Sequence, residues 1–279
     1  MCQFETPLLV IYSYISVIIL SLITAFSILY KNKKHSLNWN AFYFIFIIAL
    51  WTAGALAQWL VHDIQIIFLF FRLSYLLVFF FLFFLYFSFD FVDEKLSQKR
   101  KIIFALPFLV TVFSVIGGYG IGSVEPKYCD YTLGWLAYYN LFVGLAYSVG
   151  AIIVLMKKYK QPLVSYKIKL QIGILILAIS FFILWNMAYE VIYVFSLIKK
   201  TEIEISPYCI LGNLFFIILM IFNIIEYDLF DFDITPGKWF AFSIFSIIFL
   251  GMFFLSLTPT FYLTLLIVYI AVIWVFWGK

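Results

Sequence analysis

Residues Ile64–Asp90 read IQIIFLFFRLSYLLVFFFLFFLYFSFD, an apolar run long enough to cross a bilayer, with an arginine set inside it. A span needs roughly 20 apolar residues, and a guanidinium keeps its proton at any relevant pH. Holding that charge in hydrocarbon costs about 2.5–3.5 kcal/mol even on the lenient insertion scale. Arg72 therefore needs a partner. The chain is read as an all-α polytopic membrane bundle whose outer half closes around that charge.

The rest of the sequence has the same character. Of its 279 residues 66% are hydrophobic, 23% aromatic and only 11% charged, against roughly a quarter charged in a soluble domain. Apolar runs and short connectors take up nearly every position, which leaves no soluble domain of useful size. The start, MCQFET, has no charged n-region and leads into a run longer than a signal h-region, so the first helix is expected to stay as an anchor. Cys2, Cys129 and Cys209 are too few and too scattered for a disulfide framework or a zinc site. A single bridge between Cys129 and Cys209 stays open.

The expected spans are Pro7–Tyr30, Ala41–Val61, Ile64–Asp90, Ile102–Ile116, Trp135–Met156, Leu170–Ile198 and Tyr208–Ile225. Two more apolar runs, Trp239–Leu257 and Phe261–Trp277, follow EYDLFDFDITPGK and suggest a C-terminal hairpin. The division is thus a seven-helix domain over residues 1–238 and a two-helix hairpin over 239–279. Phe-rich stretches such as VFFFLFFLYF are expected to face lipid. Lys and Arg crowd the connectors KNKKHSLNWN, DEKLSQKRK and KKYKQPLVSYKIK and are sparse in the alternate ones. By the positive-inside rule the N-terminus lies outside and the C-terminus in the cytoplasm. The net charge of +4 is accounted for by that asymmetry, and nucleic acid is not an expected partner.

Arg72 sits about 12 Å in from the outer end of its span at 1.5 Å per residue. Glu190, eight residues before Ile198 on an outward-running helix, has the same depth and is the only acid well inside a span. The two are expected to pair. Gln58 and His62 lie on one face of the second span, Tyr75 shares a face with Arg72, and Asn186 shares one with Glu190. Asn140 and Asn213 each lie five residues into their spans. These eight residues, Arg72, Glu190, Gln58, Tyr75, Asn140, Asn186, Asn213 and His62, form the candidate ligand site, open to the outside. Intramembrane ionisable groups favour such a role, although polar groups in a bundle also simply fasten helices, at about 0.6 kcal/mol each. No metal-binding spacing, phosphate loop or nucleophile motif occurs, so neither catalysis nor a cofactor is expected. A small transporter or channel is the rival reading, but no half of the chain repeats the other.

Three stretches resemble the N-terminal seven-transmembrane region of prokaryotic sensor histidine kinases. AFYFIFIIALWTAGALAQWL is similar to that family's second helix, with Trp51 and Gly54 as its Trp-x-x-Gly. FFRLSYL resembles its third helix, with Arg72 and Tyr75 three apart, and Leu229–Asp231 resembles its Leu-Phe-Asp exit. The likeness spans roughly residues 7–238. It implies a sensor that reads an outside or intramembrane ligand and passes helix movement to a cytoplasmic output. The third helix here has VFFFLFFLYF where the family often has a Gly and a Pro. After residue 238 come two apolar runs, where a phospho-acceptor helix and an ATP-binding domain are expected. The kinase is therefore expected on a longer protein, or on a partner: a cytoplasmic signalling protein, with a second copy of the chain as the other candidate.

Overall fold

Each expected span up to residue 227 is carried by helix within the residues that the computed structural model describes, which are 8–31, 35–61, 63–122, 124–125, 130–131, 134–199 and 210–227. The helices are α1 (Leu8–Lys31), α2 (Ser36–Leu60), α3 (Ile64–Ser74), α4 (Phe79–Phe91), α5 (Gln98–Gly117), α6 (Trp135–Tyr159), α7 (Tyr166–Lys199) and α8 (Ile210–Tyr227). A 3₁₀ turn, Tyr75–Val78, joins α3 to α4, so the two make one membrane-length segment, Ile64–Phe91. Among the described residues six segments are long and apolar enough to cross a membrane, and Gly212–Ile224 on α8 is a shorter apolar helix. The expected hairpin at 239–279 lies outside the described residues, as does a Cys129–Cys209 bridge. The loop after α5 carries two short strands, β1 (Val124–Glu125) and β2 (Asp130–Tyr131), paired antiparallel.

Local chemistry sets the helix ends. Asp63 accepts from the backbone N–H groups of Gln65 (2.8 Å) and Ile66 (3.4 Å) and so caps α3; this satisfies donors that a helix start leaves free. Ser97 caps α5 through the Arg100 N–H. At the other end of α5, Gly118 takes φ 74°, a left-handed C-terminal position that suits glycine.

The centre of the bundle is aromatic. Phe44 of α2 meets Phe80, Phe84 and Phe87 from the third segment at ring distances of 5.4–5.9 Å. Phe182 of α7 lies 4.8 Å from Phe80, and Phe216 of α8 lies 5.4 Å from it. This corrects the expectation that the Phe-rich run faces lipid: Phe80, Phe84 and Phe87 are all fully buried. Lipid is as apolar as the bundle interior, so close packing rather than water exclusion holds such a core together. Phenylalanine supplies large flat surfaces for edge-to-face contact.

α5 stands apart. Only 22% of its span is buried, the lowest of the six. Its neighbours hold it by hydrogen bonds to its backbone. Tyr86 of α4 donates to the Lys101 carbonyl (2.6 Å), and from α6 Tyr147 donates to Phe104 (2.6 Å) and Tyr139 to Pro107 (2.8 Å). Pro107 lies inside α5, where its missing N–H leaves one rung of the helix open.

Candidate functional site

The break between α3 and α4 has an identifiable cause with no glycine or proline involved. Ser74 turns its hydroxyl back onto the Phe71 carbonyl at 2.7 Å, a bond that competes with the helix ladder. One residue on, the Tyr75 carbonyl accepts a hydrogen bond from Asn140 Nδ2 of α6 at 3.1 Å. The same amide accepts at Oδ1 from the Thr111 hydroxyl of α5 at 2.6 Å. Asn140 therefore ties α6 to the 3₁₀ turn and to α5 at once.

Arg72 lies one turn before this junction. Its Nη2 donates to the backbone carbonyls of Val115 and Ile116, the second at 3.1 Å. These belong to the last turn of α5, where carbonyls lack helical partners and the helix dipole is negative. A cation there is stabilised without any acid. The Phe68 ring adds a cation–π contact, with the guanidinium carbon 5.9 Å from its centroid. Gly118 closes the terminus, and a Cβ on it would stand 3.6 Å from Nη2.

Of the eight candidates, the structure brings Arg72, Tyr75 and Asn140 into one corner. Tyr75 contributes its backbone carbonyl there, and its buried ring packs on Phe71 at 5.4 Å. Asn186 donates to the Phe182 carbonyl of its own helix at 2.7 Å. Asn213 is fully buried on α8, and neither atom of its amide has a hydrogen-bond partner among the described residues. Gln58 is half-buried on α2. His62 and the side chain of Glu190 lie outside the described residues, and with them the pairing of Arg72 with Glu190. Along their helices Arg72 and Glu190 each stand eight residues from the Phe80–Phe182 contact.

Two contributors escaped the sequence reading. Thr111 is fully buried, yet a lone threonine in an apolar helix usually bonds to its own backbone and gives no signal. The carbonyls of Val115 and Ile116 have no side-chain signature at all. Only the glycine pair Gly117–Gly118 pointed to a helix end at that depth.

The far end of the third segment is fastened too. Asn40 of α2 donates to Asp90 Oδ2 at 2.8 Å. Lys158 of α6 lies 3.5 Å from Asp93 and donates to the Val92 carbonyl. Asn223 of α8 donates to the Gln171 carbonyl of α7 at 3.0 Å.

Membrane-length helices packed around an aromatic centre, with a buried-polar corner on an intramembrane arginine, define a polytopic helical membrane protein. The chain belongs to the family described as the N-terminal 7TM region of histidine kinase, whose pattern matches residues 13–236. No curated protein and no solved structure matches it significantly.

Proposed function

We propose that this chain is a membrane-embedded sensor module that detects a ligand from outside or from within the bilayer and relays it to a cytoplasmic output. The observation that carries this reading is the position of Arg72. It grips the end of the least buried helix, α5, one turn before the point where its own segment is broken. A mid-helix 3₁₀ stretch is a common place for a hinge. Change at Arg72 would alter how α3 meets α4. The other end of α4 holds α2 through Asp90 and neighbours the Lys158 contact to α6, so tilt of one segment reaches two more.

The orientation that goes with this reading puts the Arg72 corner toward the outside and the basic connectors in the cytoplasm, beside the output. A charged group at membrane depth is costly, and its retention favours function over simple fastening. Membership in a histidine kinase family makes a kinase the natural output.

A fusion of residues 1–238 to a heterologous histidine kinase core tests the reading. Autophosphorylation in membranes should differ between the parent fusion and its Arg72→Gln and Asn140→Ala variants at equal protein levels. Identical phosphorylation in all three would refute a relay from this corner. Solute or ion flux through vesicles holding the full chain would instead favour the transporter reading.

A further inference from the structure

Arginine carries five N–H donors. Both described hydrogen bonds of Arg72 leave from one nitrogen, Nη2, and both end on neutral carbonyls. Among the described residues no carboxylate stands against the charge. Nε and Nη1 thus keep three N–H donors uncommitted among the described residues, and the side chain is half-buried rather than enclosed.

The surface around this group is apolar and open. Leu69, one turn before Arg72, is 51% exposed, and Leu73 beside it is 43% exposed. On the α5 end that holds the guanidinium, Phe113 is 66% and Ile116 74% exposed. An oxyanion with an apolar chain has the complementary layout. Its oxygens would make charge-assisted hydrogen bonds with the unused donors, while its chain lies along leucine and phenylalanine where lipid would otherwise lie. A hydrophilic anion gains only the first of these and gives up its water for an apolar face.

We propose that Arg72 is the headgroup site of an anionic amphiphile, a long-chain carboxylate or a phospholipid phosphate, that enters from the lipid between α3 and the end of α5. This rests on the reading of Arg72 as the sensor's input and names the class of ligand that works it. The bound anion shares the guanidinium with the Val115 and Ile116 carbonyls, so its arrival changes how firmly Arg72 holds the α5 terminus.

Native mass spectrometry of the full chain released from nanodiscs tests the site, with palmitate, phosphatidylglycerol and phosphatidylcholine as probes. One anionic probe should be retained on the order of tenfold better than phosphatidylcholine, the scale of a single charge-assisted hydrogen bond. Arg72→Lys should keep that preference and Arg72→Gln should lose it. Preference for palmitate assigns the carboxylate source, and preference for phosphatidylglycerol assigns the phosphate headgroup. Because Arg72→Gln can weaken the fold, photoactivatable palmitate and phosphatidylglycerol are also crosslinked to the unmodified protein, and labels should fall within residues 69–73 and 113–118. Retention that ignores charge, labels elsewhere, or displacement of the probe by millimolar inorganic phosphate would overturn the proposal. So would anionic binding seen only in Glu190→Gln protein, since an internal carboxylate would then fill the site. Retention is read without any kinase output, so failure here and failure of the relay are separate results.

Discussion

Asn140 offers the sharpest stability test, because its amide makes both hydrogen bonds that lock the junction of α3, α5 and α6. Asn140→Leu removes the two bonds at about 0.6 kcal/mol each. It also strands the Thr111 hydroxyl, which is fully buried, at a further cost of about 1 kcal/mol. The expected loss is about 2 kcal/mol. Thr111→Val removes one bond and leaves Asn140 Oδ1 without a donor, a loss of about 1.5 kcal/mol on the same figures. In the double variant both bonds go, but neither side chain is left stranded, so the loss is only about 1 kcal/mol. The shortfall from additivity is therefore about 2.5 kcal/mol, falling toward about 1.5 kcal/mol where Thr111 turns onto its own helix. Reversible unfolding in detergent of the four proteins measures it. Losses that add to within about 0.5 kcal/mol, the scatter of independent sites, would refute the shared network.

Tyr86→Phe, Tyr139→Phe and Tyr147→Phe each remove one hydroxyl bond to α5, so the triple variant should lose about 2 kcal/mol; hydrogen exchange should rise in α5 and stay unchanged in α2. Gly118→Val forces a branched side chain into the left-handed region, at a cost of about 1–2 kcal/mol or more, and a thermal melt should show a lower midpoint. With the basic connectors in the cytoplasm, Ser36→Cys in intact cells should resist an impermeant thiol reagent, whereas Tyr119→Cys should react; the reverse pattern inverts the topology.

The spans and the chemistry of the Arg72 corner were legible because charge and amide groups are rare in apolar helices and therefore informative. Arg72 and Asn140 stood out on that ground, and with the Tyr75 backbone carbonyl they meet at one corner. The Val115 and Ile116 carbonyls that hold Arg72 were not legible, because a helix terminus offers acceptors that no residue type announces. The burial of Phe80, Phe84 and Phe87 was hidden for a related reason: a run with almost no polar residue has no face to distinguish core from lipid. The break at Tyr75–Val78 also escaped, since Ser74 and Asn140 cause it from within ordinary sequence.

The proposed relay requires the Arg72 corner to be mechanically joined to the basic end of the bundle. Electron paramagnetic resonance distances test it directly, with spin labels on Glu94→Cys beyond α4 and Gln161→Cys beyond α6, both at exposed positions, in protein whose native cysteines are replaced by serine. Arg72→Gln should shift or broaden the distance distribution between the labels, because freeing the end of α5 changes the tilt of α4. Distributions that superimpose with and without Arg72, in folded protein, would contradict the relay.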